Sequence, residues 1–285
     1  MLLLLTLSAL LAVPAVLAVP TSNSARLANT DSSLTILYQN NLNGTDDANH
    51  IAAILLGASP ASQAAKACGT LNERLISRAA IEAHYDDFYH QLSYLVYSGR
   101  ANANQDFIIS NGLVSFNQRR ACLDFKPTPY GNRRLSVLCT QSANASQPTT
   151  AVATSQNEIT IPAGRNKYVG YRNLKSWRFS GIPYADQPQR WHHSSVYSGA
   201  GQTLNATVFG SQCPQNGAGS EDCLFVNIQT PYIPKAGSKQ KLKAVYFWIH
   251  GGGFNGGVGS SPGTDGGNLA SREDLVVVTI NYGKF

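Results

Sequence analysis

The sequence predicts an α/β fold, and three observations carry that expectation. Residues 244–249 (AVYFWI) and 275–280 (LVVVTI) are apolar almost without a break. Such runs suit strands covered on both faces, as in a sheet flanked by helices. Earlier in the chain, Ile81, Tyr85, Phe88, Leu92 and Leu95 recur at spacings of four, three, four and three. That is one apolar face of a helix. Between these regions, residues 140–158 are Ser, Thr, Gln, Asn and Ala with little apolar bulk, which reads as a linker.

Taken in order, residues 1–18 read as a signal peptide. Residues 2–13 are apolar except Thr6 and Ser8, Pro14 interrupts helix, and Val16, Leu17 and Ala18 suit cleavage after Ala18. No Lys or Arg precedes the apolar run, so an uncleaved anchor is the alternative. Pro14 and the short span argue against it. Residues 19–139 form an N-terminal region expected to be mostly helical, polar over 21–45. A short helix is expected over 46–56, with Asp early and Gly57 after its end. A second follows Gly69, opened by a capping box of Thr70 and Glu73 and ended by Gly99. Its aromatic stripe reads as a core face rather than a cofactor groove. Residues 106–116 suit a strand or two. Beyond the linker, residues 159–285 hold short strands at 168–171, 177–179 and 224–228, with turns at Gly181-Ile182-Pro183 and Thr230-Pro231.

The chain has 285 residues, 43% hydrophobic and only 13% charged. A sizeable core is affordable, and solubility falls to uncharged polar residues or sugar. The net charge of +6 is spread out, with doublets at Arg119-Arg120 and Arg133-Arg134. These read as surface charge, a dibasic processing site being the sharper alternative. No basic stripe interleaves with aromatics, so no nucleic-acid partner is expected. Sequons begin at Asn43, Asn144 and Asn205 and fit glycosylation on a secretory route. Of five cysteines, Cys213 and Cys223 close a short polar loop and are the natural pair, contributing roughly 3 kcal/mol at most. Two of Cys68, Cys122 and Cys139 should also pair in an oxidising compartment, with the choice open. No His/Cys cluster has metal-ligand spacing, so neither metal nor cofactor is expected.

The sharpest chemical feature is His250-Gly251-Gly252-Gly253-Phe254, directly after an apolar run. Three glycines let backbone N–H groups converge with no Cβ in the way. Two such donors can hold the oxyanion formed when an ester carbonyl is attacked. The loop lacks the phosphate-binding patterns G-x-G-x-x-G and Gly-Lys-Ser/Thr.

Four ordered blocks surround it: FSGIPYA at 179–185, GSEDCLFVNIQTP at 219–231, VYFWIHGGGF at 245–254 and DLVVVTINY at 274–282. From about Asn157 to Tyr282 the series resembles the N-terminal portion of the type-B carboxylesterase/lipase family, which includes cholinesterases and fungal lipases. The resemblance implies an α/β-hydrolase fold, here incomplete, and carboxylic ester hydrolysis through a serine acyl-enzyme. It implies that Gly252 and Gly253 are oxyanion-hole donors and that Cys213–Cys223 is the family's first disulfide. It also implies a buried structural ion pair, Arg190–Glu221. Phe179, Tyr184 and Trp191 are assigned to packing. The chain is shorter than the family pattern between Tyr184 and Arg190, which leaves that loop's shape in doubt. The full-length family member would take a small-molecule or lipid ester, secreted into the extracellular space without stable membrane insertion.

The family's Ser, Glu or Asp, and His are expected downstream. Gly259-Ser-Ser261-Pro-Gly263 matches the nucleophile string, but Pro262 has no N–H to donate to an oxyanion, and no strand precedes it. His250 stands in the wrong chain order for a general base. After Tyr282 the family pattern continues Arg-Leu-Gly, whereas here Gly283-Lys-Phe285 follows. The expectation is a truncated member, inactive alone, whose runs 244–249 and 275–280 lack sheet partners and promote aggregation. The alternative is a non-catalytic, secreted, esterase-like binding module. A weaker one makes residues 21–139 an accessory binding domain.

Overall fold

Residues 51–56, IAAILL, show why the N-terminal region departs from expectation. The expected helix over 46–56 is reduced to one 3-10 turn, Asp47–Asn49, and the chain then extends into strand β2 (Ala53–Pro60). Ile54 and Leu56 face one hydrophobic cluster while Ala53 and Leu55 face another. A period of two that is apolar on both faces has no polar alternation to announce it. The computed structural model describes residues 32–128, 133–235, 237–238 and 242–283. The expected signal peptide, 1–18, and residues 21–31 of the polar stretch lie outside them.

Around β2 stand β1 (Leu34–Leu37), α1 (Ala61–Gly69), α2 (Arg78–Ala83), α3 (Tyr85–Tyr97), β3 (Phe107–Ile109), β4 (Gly112–Asn117), β5 (Cys122–Lys126) and β6 (Arg134–Thr140). Six strands beside three helices correct the mostly helical expectation. The apolar stripe holds: Ile81, Phe88, Leu92 and Leu95 are buried. The capping box does not form. Thr70 Oγ1 donates to the Ala67 carbonyl, and Glu73 is taken by Arg172. Ser77 caps α2 instead, accepting from the Ala80 N–H, and His84 breaks the helix with a non-helical backbone.

After residue 140 come β7 (Glu158–Ala163), β8 (Asn166–Arg172), β9 (Trp177–Pro183), β10 (Thr203–Asn205), β11 (Phe225–Thr230), β12 (Tyr232–Ile233), β13 (Val245–Ile249), α4 (Gly267–Glu273) and β14 (Val276–Ile280). The first sheet runs β12-β1-β2-β6-β3-β4-β5, and the second runs β10-β8-β9-β11-β14-β13 with β7 paired to β8. Only Pro231 separates β11 in the second sheet from β12 in the first. One face of the first sheet packs on α2 and α3. The other shares a cluster with α1 and with Ile159, Trp177 and Phe179 of the second sheet. Residues 140–158 run across this seam: Gln141 donates to the Asn173 carbonyl, and Ser142 donates to Glu73.

β13 and β14 pair in parallel, and β14 pairs antiparallel with β11, so the expected lack of sheet partners is corrected. The crossover through α4 makes a βαβ unit. Expected burial of both strands fails for β13, where Val245, Tyr246, Phe247 and Ile249 are exposed. Among the described residues β13 is the sheet's last strand, while α4 packs on β11 and β14.

Candidate active-site loop

β13 delivers the chain to His250, which is buried although the strand before it is exposed. Tyr282 holds it: the rings stack at 4.3 Å, and the Tyr282 hydroxyl donates to the His250 carbonyl at 2.8 Å. His250 Nδ1 lies 2.8 Å from the Gly251 carbonyl. A carbonyl only accepts, so this contact calls for a proton on Nδ1. The C=O and N–H of a trans peptide point opposite ways. Anchoring the Gly251 carbonyl on the imidazole therefore turns the Gly252 N–H away from it.

The glycines are required by the backbone. Gly252 has φ +130°, and a Cβ there would sit 2.0 Å from the Gly256 carbonyl oxygen. Gly257, at φ +107°, would meet the Gly251 oxygen and His250 Nδ1, each at 2.3 Å. The Gly252 carbonyl accepts from Asn255 and Gly256, both at 3.1 Å. Among the described residues, no acceptor meets the N–H of Gly252 or Gly253. Both glycines are exposed, as is Phe254 (78%).

Buried polar side chains peg the far end of the loop. Gly259 N–H donates to Asn281 Oδ1 at 2.8 Å, and its carbonyl accepts from Thr279 Oγ1 at 2.6 Å. Asn227 reaches the same carbonyl and also accepts from Gly181 N–H. Sequence reasoning missed these pegs. Their signal was polar residues within apolar strands, FVNIQT and VVVTI followed by Asn281, because a buried polar group needs a partner.

Ser261 is no elbow. It precedes the 3-10 turn Pro262–Thr264 from an extended conformation, and its carbonyl accepts from the Thr264 amide and hydroxyl. The Cys213–Cys223 disulfide forms, packed by Tyr184, Ala185 and Leu224. The second bridge is Cys68–Cys139, leaving Cys122 as a half-buried thiol. Phe179 is buried, and Tyr184 is partly buried, its hydroxyl donating to the Asn281 carbonyl.

Two expectations are corrected. Trp191 does not pack; it is 75% exposed with φ +70°. Arg190 and Glu221 approach to 3.7 Å, but their side chains are 69% and 48% exposed. The short segment after Tyr184 lies over the surface, where most of residues 187–195 are exposed. The buried pairs are Arg172–Glu73, Lys175–Asp47 and Arg178–Asp265.

Asn43, Asn144 and Asn205 are all exposed. Asn43 and Asn205 each accept from the backbone and hydroxyl of the Thr two residues on, forming Asx turns. Among the described residues, no cluster of three or more His, Cys, Asp or Glu is arranged for a metal. No described helix is long and apolar enough to cross a membrane.

The carboxylesterase family pattern matches residues 149–283. Over 141 residues the chain is 36% identical to a para-nitrobenzyl esterase of Bacillus subtilis, covering 44% of this chain and 27% of that protein. It is 37% identical over 161 residues to Esterase E4 of Myzus persicae, covering 53% and 28%. A crystal structure of a Geobacillus stearothermophilus carboxylesterase shares 36% identity over 44% of this chain and 27% of its own, with a TM-score of 0.40. The chain thus spans 27% and 28% of the length of these two curated relatives. Residues 149–283, which carry the glycine loop and its pegs, thus match the carboxylesterase family pattern, and the likeness to these esterases is confined to that part of the chain.

Proposed function

We propose that residues 250–254 are the oxyanion-binding half of an acyl-transfer site, with the N–H groups of Gly252 and Gly253 as its donors. The observation that carries this reading is that, among the described residues, neither amide meets an acceptor, and both stand on an exposed run of three glycines. A tetrahedral intermediate on an ester carbonyl would offer the oxygen they lack, and each donor would contribute about 3 kcal/mol in the transition state. The substrate class is a small-molecule or lipid carboxylic ester. The described residues supply no nucleophile, because Ser261 has neither strand nor N–H behind it for an elbow. Residues 1–285 alone are therefore inactive in this reading. Two disulfides and three exposed sequons support a secreted, extracellular glycoprotein.

Purified, folded 1–285 should show no turnover of p-nitrophenyl esters. Turnover that disappears in Ser261→Ala would overturn the assignment of Ser261 as a bystander. The oxyanion assignment is tested in any longer product of the transcript that carries a serine elbow. There, Gly252→Ala, whose Cβ would meet the Gly256 carbonyl oxygen at 2.0 Å and force the amides out of line, should lower kcat about 100-fold with KM little changed. An unchanged kcat would sink it.

A further inference from the structure

Gln215 stands 42 residues before Gly257 in sequence, yet its side chain grips that glycine at both backbone groups. Oε1 accepts the Gly257 N–H at 2.8 Å, and Nε2 donates to the Gly257 carbonyl at 3.1 Å. A primary amide is the side chain that presents one donor and one acceptor at this spacing. It occupies the place that a neighbouring strand would take.

The base of the grip is fixed. Gln215 and Ala218 exchange both backbone hydrogen bonds at 2.9 Å around Asn216 and Gly217. Both central residues have positive φ, +49° and +76°, as a type I′ Asn-Gly turn requires. The Cys213–Cys223 disulfide closes the loop, and Ser220 N–H donates to the Gln212 carbonyl across its neck. Gly219, at φ +101°, would place a Cβ 2.6 Å from the Cys213 carbonyl, so the neck admits no side chain.

The other end of the grip is where the glycine turn closes. The Gly257 Cα faces the Gly251 carbonyl and the His250 ring. At the start of the turn, Tyr282 fixes His250. Between these ends, the turn is held by the His250 Nδ1 contact with the Gly251 carbonyl and by the bonds of Asn255 and Gly256 to the Gly252 carbonyl. A run of glycines with one loose end would sample many conformations.

We infer that Gln215, held by the disulfide loop, is a positioning residue that keeps the Gly252 and Gly253 amides aimed at one point. The inference rests on the reading of those amides as oxyanion donors. It also gives the Cys213–Cys223 bridge a role beyond stability, as the base of a bracket for the acyl-transfer loop.

The test uses the full chain and needs no ester chemistry. In Gln215→Leu, amide exchange of Asn255, Gly256 and Gly257 and chymotryptic cleavage after Phe254 should both rise about tenfold, as local opening requires. The melting transition and the intact disulfide mass should stay as they were. Gln215→Glu supplies the control: its carboxylate cannot donate to the Gly257 carbonyl, and protonation returns the donor. Loop protection should therefore be lost at pH 7 and regained near pH 4. Unchanged protection in Gln215→Leu, or in Gln215→Glu at both pH values, overturns the bracket. In the longer, elbow-bearing product, protection that follows Gln215 while kcat ignores Gly252→Ala would leave the bracket standing and sink the oxyanion reading alone.

Discussion

The seam between the two sheets and the open side of the second sheet treat charge and apolar surface in opposite ways. At the seam, Arg172 is fully buried and Glu73 is 2% exposed, 2.5 Å apart. Arg172 also donates to Gln141 and to the carbonyls of Leu71 and Gln156. On the open side, the comparable pair Arg190–Glu221 lies in water, beside an exposed Trp191 and not far in sequence from an exposed glycine turn. The residues that reveal the family cluster on the open side and in the strands leading to it. The seam on which those strands rest is held in part by Glu73 and Asp47, from a region outside the family match. Recognisable motifs thus mark where chemistry is presented, and the support for it is assembled from distant residues.

The largest effect should come from breaking the seam. Burial pulls the Arg172 guanidinium below its ordinary pKa, and Glu73 opposes that pull. Glu73→Gln removes the countercharge and leaves a buried cation, which should destabilise the fold by about 3–5 kcal/mol. A urea melt would read this as a lower midpoint with an unchanged slope. Replacing both partners by apolar residues, Glu73→Leu with Arg172→Met, should recover most of the loss. If Glu73→Gln were as stable as the parent, the contrast between seam and surface would collapse.

A smaller, pH-dependent effect belongs to the turn that leads into β2. His50 Nδ1 lies 2.6 Å from Asp87 and Nε2 lies 3.0 Å from Asp46. Asp87 also accepts from the Ile51 N–H and faces His84, and Asp46 accepts from Asn41 and Asn49. Burial lowers the His50 pKa, but hydrogen bonds and charge from Asp87 and Asp46 outweigh it, so the net shift is upward. A raised folded pKa gives stability that is complete below the unfolded value of about 6.5 and is lost as pH climbs through the folded value. The Asp46 pKa is lowered by Asn49, His50 and Asn41. Its contribution runs the other way, present above the unfolded value and lost as pH falls through the folded one. His50→Gln should cost about 1.5 kcal/mol at pH 5.5, the scale of a hydrogen bond to a charged group, and distinctly less at pH 9. Denaturation at the two pH values would show it, and equal losses would refute the linkage.

What was legible in the sequence has local signals. The helix stripe from Ile81 to Leu95, the glycine turn and the short Cys213–Cys223 loop each fit within a few turns of chain. The first sheet was legible only at residues 106–116, which read as a strand or two and form β3 and β4. β1, β2 and β6 are apolar on both faces, so IAAILL at 51–56 reads as helix or strand alike until its partners are known. Glu73 was mistaken for a capping residue because its true partner, Arg172, is 99 residues away. Gln215 carried no local signal, being one more polar residue in a polar loop.

The smallest effect should be at Arg190–Glu221, and its smallness is informative. The family resemblance implies a buried pair there, for which removing one partner would cost about 3–5 kcal/mol. An exposed pair at 3.7 Å gains little Coulomb energy in water and orders two long side chains. Such pairs contribute about 0–1 kcal/mol. Arg190→Ala should therefore shift the urea midpoint by no more than the equivalent of about 1 kcal/mol, and 0.5 M salt should erase the ion-pair part of it. Arg190 also lies 5.6 Å over the Trp191 ring, and with that ring in solvent the contact adds about 0.5 kcal/mol, the low end for such pairs. A loss near 3 kcal/mol would mean that this segment folds inward and buries the pair, and the open side of the molecule would then be as closed as the seam.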